Sequence, residues 1–208
     1  MSRGELDGGQ ADAAARAVHQ HDLAGKCAAP LEQRSSNTDG GAAVADYLVV
    51  NDKTRVAFIG GADNASTSRE RGRGFLDRMT ERGHAVPEHF RFQGGFSHDI
   101  SAQVMKRLLS RADRPQAVFC ANDLMAFGAL DALRASRVQP QDCWIIGYDD
   151  VEMASWDSFS LTTVRQPSRE MARIGARLLV ERIHSPGLVP RRVNFPCDLI
   201  VRGSTELA

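Results

Sequence analysis

The amino-acid sequence predicts an α/β protein in which parallel strands are covered by helices. Three short apolar runs, at residues 55–61, 117–121 and 143–147, are typical of strands that are buried on both faces. Between these runs, apolar residues recur every three to four positions, which is the spacing of an amphipathic helix. The alternation of the two patterns favours a parallel sheet with helices on both of its faces.

The expected elements follow one another from residue 42 onward, without an internal repeat. Ser68 and Ser97 are expected to cap helices, because a serine oxygen accepts a hydrogen bond from a free N–H group of the first turn. Gly83 is expected to end the second helix. Helices are predicted at residues 42–50, 68–82, 97–109, 122–133 and 168–184, and strands at 55–61, 90–93, 117–121, 143–147, 192–195 and 198–201.

Composition narrows the classes of function that this chain of 208 residues can have. The 26 Lys and Arg are balanced by 26 Asp and Glu, so the chain lacks the positive charge of a free-standing nucleic-acid-binding protein. No apolar run is long enough for a membrane span, and residues 1–10 show no secretory signal. The dispersed cysteines predict reduced thiols in the cytoplasm, with no disulfide and no metal site. They are Cys27, Cys120, Cys143 and Cys197.

Residues 1–34 differ from the rest of the chain. They are rich in Ala, Gly, Gln, Asp and Ser and contain few large apolar side chains. Such a segment cannot bury enough apolar surface to offset the entropy that ordering would cost. We therefore expect residues 1–34 to be poorly ordered, with a short helix around residues 12–19 as the alternative.

Polar and aromatic side chains follow several of the predicted strands. The carboxyl ends of parallel strands are where open α/β sheets bind their ligands. Carboxylate, amide and guanidinium groups suit a neutral polyhydroxylated ligand, and an aromatic face packs against the apolar side of a ring. The side chains in question are Asp63, Asn64, Thr67, Ser68, Arg71, Phe96, Asn122, Asp123, Tyr148, Asp149 and Asp150.

Several of these side chains also have a purely structural alternative. Residues 122–123 could cap the helix that follows them. Residues 149–150 could form a solvated turn. Arg71 could lie on the surface of an arginine-rich helix, and Phe96 could anchor a loop in the core.

The sequence does not carry the common catalytic signatures. It contains no GxSxG turn for a serine nucleophile, no GxxxxGK[ST] loop for phosphates and no HExxH zinc motif. We therefore predict a protein that is not an enzyme and that uses neither a cofactor nor a metal ion.

Six segments of the chain resemble, in order and spacing, the effector-binding domain of the LacI/GalR family of bacterial transcriptional regulators. They are RVAFIGG (55–61), RGRGF (71–75), ANDLMAFG (121–128), IGYDD (146–150), LTTVRQP (161–167) and LIVRGST (199–205). The resemblance implies a two-lobed sensor of the type I periplasmic-binding-protein-like fold. In that family the lobes close over a sugar or a nucleobase, and closure changes how a homodimer presents its DNA-binding headpieces.

The resemblance also implies roles for individual residues and a division of the chain. Residues 35–208 would form the sensor domain, with a complete C-terminal lobe at about 53–160. Residues 35–52 and 161–208 would be parts of an incomplete N-terminal lobe, reached by a crossover at 161–167. The implied ligand-binding residues are Arg71, Asn122 and Asp149 for polar ligand atoms, Phe96 for ring packing, and Thr67 and Ser68 in the adjoining loop.

The chain departs from the family at its start, because residues 1–40 show no helix-turn-helix and no basic recognition face. We therefore expect a truncated regulator that reaches operator DNA only through a headpiece missing here. An incomplete lobe predicts exposed strand edges and apolar faces, and hence aggregation. The alternatives are a solute-binding protein of a transporter and a module that pairs with an intact paralogue.

Overall fold

Continuous apolar runs form the centre of a six-stranded sheet in the computed structural model, which describes residues 36–138 and 142–205. The strands are β1 (Val56–Gly60), β2 (Arg91–Gln93), β3 (Ala117–Cys120), β4 (Trp144–Asp149), β5 (Thr162–Arg165) and β6 (Asp198–Ile200). Their order across the sheet is β2-β1-β3-β4-β5-β6. β1 to β5 are parallel, and β6 is antiparallel to β5. The predicted α/β class with a parallel sheet is confirmed.

Five helices of the described residues accompany the sheet. They are α1 (Ser36–Val50), α2 (Ser66–Glu81), α3 (His98–Leu109), α4 (Asp123–Ala135) and α5 (Ser168–His184). Every residue of β1 and β3 is buried. The rings of Phe58, Phe75 and Phe119 pack together between α2 and the sheet, with centroids 5.0–6.0 Å apart. This packing fixes α2 over the centre of the sheet.

α1 begins at Ser36 rather than at residue 42, because its two glycines do not break the helix. They allow it to pack closely against α2. A Cβ atom on Gly41 would lie 2.1 Å from the carbonyl oxygen of Arg71, and one on Gly74 would lie 2.0 Å from that of Thr38. Glycine is therefore required on both helices where their backbones meet.

The predicted helix ends are partly confirmed. Ser97 caps α3, since its Oγ accepts a hydrogen bond from the N–H of Ile100 at 3.3 Å. Gly83 has a φ of +82°, as expected of a residue that follows a helix. The expected cap at Ser68 is wrong. α2 begins at Ser66, and Ser68 Oγ instead accepts from the N–H of Gly61 at 2.7 Å.

The C-terminal segment matches the predicted helix but not the first strand predicted after it. α5 has the predicted bounds, yet none of its residues is buried. Leu179 and Ile183 are 61% and 67% exposed, and an exposed apolar face of this kind is expected of an incomplete lobe. The strand predicted at 192–195 is wrong. Pro190 and Pro196 bracket it, and proline has no N–H to donate to a sheet.

The sheet extends beyond the limits expected for the C-terminal lobe. β5 pairs with β4, which lies within 53–160, and β6 pairs with β5. α1 packs against α2, which lies in the same region. β5 and β6, expected in the incomplete N-terminal lobe, therefore extend the sheet formed by residues 53–160. The division of residues 35–208 into two lobes stays a prediction. The expectation for residues 1–34 lies outside the described residues.

Cys120 and Cys143 are buried free thiols, and Cys197 is a half-buried free thiol. Cys27 lies outside the described residues. Within the two described ranges, we find no helix whose length and apolar character would suit a membrane span.

Candidate functional site

Arg71 on α2 is the centre of the candidate site. Only 6% of its surface is exposed, but each guanidinium nitrogen has a partner. Nη2 lies 2.8 Å from Asp149 Oδ1. Nη1 donates to the Ala121 carbonyl at 2.7 Å, and Nε donates to Asn37 Oδ1 at 3.1 Å. The guanidinium carbon lies 3.8 Å from the centroid of the Tyr148 ring. Arg71 is thus held at the carboxyl end of the sheet, and the surface alternative is wrong.

Asp149 is the last residue of β4 and the direct partner of Arg71. Its Oδ1 also accepts a hydrogen bond from Gln166 Nε2 at 3.1 Å. Burial raises the pKa of Asp149, and the positive charge of Arg71 opposes that shift. Its side chain is still 35% exposed, so this acceptor is positioned by the protein and also reachable from outside.

Asn122 and Asp123 begin α4 and have different roles. Asn122 Oδ1 accepts from the N–H of Met125 at 3.0 Å, so the capping alternative is confirmed for Asn122. The cap occupies Oδ1 only, and Nδ2 has no hydrogen-bond partner within the described residues. Asp123 is not a cap. Its buried carboxylate accepts from Thr163 Oγ1 at 2.5 Å and from the N–H of Val151 at 2.9 Å.

Asp150 belongs to an ion-pair network rather than to a solvated turn. Its side chain is only 7% exposed. Oδ1 lies 2.7 Å from Arg202 Nη2, and Oδ2 lies 2.5 Å from Arg165 Nε. The solvated-turn alternative is therefore wrong for Asp150.

Two of the remaining predicted residues, Ser68 and Phe96, contact Gly61, which follows β1 directly. Ser68 is buried and hydrogen-bonds the Gly61 N–H. Phe96 covers the same residue, because a Cβ on Gly61 would lie 2.2 Å from its ring. Phe96 is half-buried and Thr67 is exposed. Of the six predicted residues, the structure joins Arg71 with Asp149 and places Asn122 directly after the carbonyl that Arg71 binds. It brings Ser68 and Phe96 together at Gly61, and Thr67 precedes Ser68 in α2.

Sequence inspection missed two residues that touch the central pair. Asn37 binds Arg71, and its Nδ2 donates to Glu70 Oε2 at 3.0 Å. Gln166 binds Asp149. Gln166 follows β5 directly, so the rule that found the other residues could have found it. Asn37 lies at the start of a helix whose beginning was misplaced, and no local signal marked it.

The arrangement provides hydrogen-bond donors and acceptors whose positions are fixed by the protein. Arg71 offers a planar donor group, Asp149 offers an acceptor, and the Asn122 amide offers a further donor. Such a combination suits paired hydroxyls or the polar edge of a ring. In residues 36–138 and 142–205, no group of three or more His, Cys, Asp and Glu is placed to hold a metal ion.

The fold and this polar rim define the class as an α/β ligand-binding domain. Residues 45–205 match the periplasmic binding protein-like domain family. The match covers more than half of the chain, and the relatives described next point to one branch of that family. The chain belongs to the family in the form that it takes in LacI-type transcriptional regulators.

The chain is 37% identical over 166 residues to the ribose operon repressor of Escherichia coli K12, covering 79% of this chain and 50% of that protein. It is 31% identical over 172 residues to the transcriptional repressor PurR of Vibrio vulnificus. That alignment covers 82% of this chain and 52% of PurR. The solved complex of the transcriptional regulator CelR with cellobiose superposes with a TM-score of 0.76 at 35% identity, covering 86% of this chain and 56% of that one.

All three proteins are named as transcriptional regulators. This agrees with the prediction that the chain is not an enzyme, and it favours a regulator over the solute-binding alternative. The chain spans about half the length of the curated relatives that it matches.

Proposed function

We propose that this chain is the effector-sensing part of a LacI-type transcriptional regulator and that it binds a small sugar or a related polar ligand. The observation that carries the proposal is the buried Arg71 paired with the partly exposed Asp149 at the carboxyl end of a parallel sheet. The pair presents a donor and an acceptor side by side, which is what two neighbouring hydroxyl groups require.

The proposed ligand-binding residues are Arg71, Asn122 and Asp149 for polar atoms, Phe96 for ring packing, and Thr67 and Ser68 for the adjoining loop. Asn122 would donate through Nδ2, since its Oδ1 is used by the cap. Ser68 would contribute mainly by fixing the backbone at Gly61. Ligand would favour the closed form of the sensor by its higher affinity for that form.

We extend the proposal to partners and to location. A homodimer and operator DNA are the partners expected of a LacI-type regulator, with the DNA bound by a headpiece separate from residues 35–208. The relatives are bacterial repressors, and a protein that acts on operator DNA works in the cytoplasm.

Titration calorimetry with ribose and cellobiose as probes tests the sugar site. We expect the chain to bind one of them, and Asp149→Ala to weaken that binding by ~1–3 kcal/mol, because ligand hydroxyls lose their acceptor. Arg71→Lys should weaken it similarly, since an ammonium group cannot replace the planar donor group.

The matched controls are Arg73→Lys, on the exposed face of α2, and Asp157→Ala, in the loop after β4. Both should bind as the unaltered chain does. Binding that survives unchanged in Asp149→Ala would remove Asp149 from the site. Failure of the unaltered chain to bind either sugar would overturn the sugar assignment.

A further inference from the structure

The turn that follows β4 has an unusual backbone. Asp149 and Asp150 have φ values of +116° and +52°, in the left-handed region that favours glycine. Two successive non-glycine residues in this region store strain, which persists only where the surrounding structure enforces it. The turn therefore requires neighbouring groups that stabilise this backbone conformation through hydrogen bonds or ion pairs.

Asp150 is held by charged groups from two other parts of the chain. Arg165 is the last residue of β5, and Arg202 follows β6. Each binds a different carboxylate oxygen of Asp150. Arg202 is anchored in addition by a hydrogen bond from Nη1 to the Leu161 carbonyl at 2.7 Å. We call Asp150, Arg165 and Arg202 the carboxylate clamp.

Backbone contacts on either side of the clamp reinforce the same conformation. The Asp150 N–H lies 3.4 Å from Thr163 Oγ1, and the Val151 N–H donates to buried Asp123. The turn is thus tied to β5 and to the start of α4. Asp149 precedes the clamp by one residue, so the direction of its carboxylate depends on the backbone that the clamp maintains.

We infer that Asp150 is a positioning residue, whose clamp holds the strained turn so that Asp149 meets Arg71 across the candidate site. This inference deepens the proposed function and rests on it for its biological meaning. Asp150 itself is occupied by two arginines and does not contact the ligand. Because Arg165 precedes Gln166, the clamp also fixes the segment from which Gln166 reaches Asp149.

Nuclear magnetic resonance of the arginine side chains in the ligand-free chain tests this inference directly. In the unaltered chain the Arg71 Nη2 protons should exchange slowly with solvent, because they are bound to Asp149. In Asp150→Ala they should exchange about tenfold faster or more, as expected when a charge-assisted hydrogen bond is lost. The Arg71 Nε proton, bound to Asn37, should keep its protection and so report that α1 and α2 remain folded.

Two further variants keep the test decisive. Asp150→Asn tolerates a left-handed backbone and retains one acceptor, so it should lie between Asp150→Ala and the unaltered chain. If Asp150→Ala does not fold, the exchange rate measured in Asp150→Asn decides the test. Asp157→Ala removes a nearby exposed carboxylate and should leave both Arg71 signals unchanged. Slow Nη2 exchange in folded Asp150→Ala, or in folded Asp150→Asn if only that variant folds, would overturn the inference.

Calorimetry with ribose and cellobiose separates this result from the proposed function. If a probe binds, Asp150→Ala should weaken that binding about tenfold, as Asp149 loses its fixed position. Unchanged affinity in that variant would contradict the positioning role. If neither probe binds, the sugar assignment fails, while the exchange of the Nη2 protons still decides whether Asp150 positions Asp149.

Discussion

Asp123 combines a buried carboxyl group with hydrogen-bond donors from two other parts of the chain. Thr163 reaches it from β5 and Val151 reaches it from the turn after β4. Burial raises its pKa from 3.8 to about 7, although both hydrogen bonds act in the opposite direction. The folded chain therefore retains a proton on Asp123 over a pH range in which the unfolded chain has lost it.

This retained proton predicts a specific pH dependence of stability. The free energy of unfolding should fall as pH rises from about 4 to about 7, by ~1.4 kcal/mol per pH unit at most, because the folded state binds the proton more tightly. Asp123→Asn cannot titrate, so this component of the slope should disappear. Urea unfolding of both proteins at pH 5, 6 and 7 measures it.

The control for this measurement is Asp157→Asn, which removes an exposed carboxyl group and should keep the slope of the unaltered chain. The titration of Asp149, whose pKa is also raised, is common to all three proteins and cancels in the comparison. An Asp123→Asn variant with the full slope would contradict the assignment.

At the scale of elements, the α1–α2 contact depends on the absence of side chains. Gly41 and Gly74 each bring one helix against a carbonyl oxygen of the other. This close approach places Asn37 beside Arg71, so the packing of two helices also prepares the candidate site. Local sequence rules treat a Gly-Gly pair as a helix breaker, because such rules do not include a partner helix.

Gly74→Ala should therefore destabilise the chain by ~1–3 kcal/mol, since its Cβ would overlap the Thr38 carbonyl. Gly175→Ala is the matched control, because it lies in α5 with no atom within 4 Å of the added Cβ. That control should be neutral or stabilising by up to ~1 kcal/mol, as alanine is the better helix former. Urea unfolding distinguishes them, and equal effects would refute the packing argument.

At the scale of the whole molecule, α5 leaves an apolar surface uncovered. Leu179, Val180 and Ile183 are each more than half exposed, and Val189 just beyond the helix is 81% exposed. Large apolar side chains exposed together on one helix favour self-association in solution. This exposed face agrees with the expectation that an incomplete lobe leaves apolar faces uncovered, because none of the residues of α5 is buried.

The double substitution Leu179→Gln with Ile183→Gln should reduce self-association while leaving the free energy of unfolding nearly unchanged, because neither side chain is buried. Light scattering against concentration measures the first effect and urea unfolding the second. The control is Arg177→Gln, which alters an exposed residue of the same helix without removing an apolar side chain. It should leave self-association unchanged. A large loss of stability in the double variant would show that α5 is covered after all.

The family and the central strands were predictable from sequence because their signals are local. Runs such as VAFIG and AVFC favour strands buried on both faces. β1, β3 and β4 lie within about a residue or two of the predicted runs. The helix at Ser168–His184 was predicted with its observed bounds. Arg71 and Asp149 were also predicted as site residues, since each follows a strand or its adjoining loop.

Only the tertiary structure decided how these residues are paired. Arg71 meets Asp149, Asn37 meets Arg71, and Asp150 meets Arg202 between parts of the chain that are distant in sequence. The sequence by itself determined which segments are buried and which residues lie near the rim, because burial and periodicity are properties of neighbouring residues. Which residues pair depends on the order of strands in the sheet and on the close approach of helices. Neither of these can be derived from the pattern of neighbouring residues.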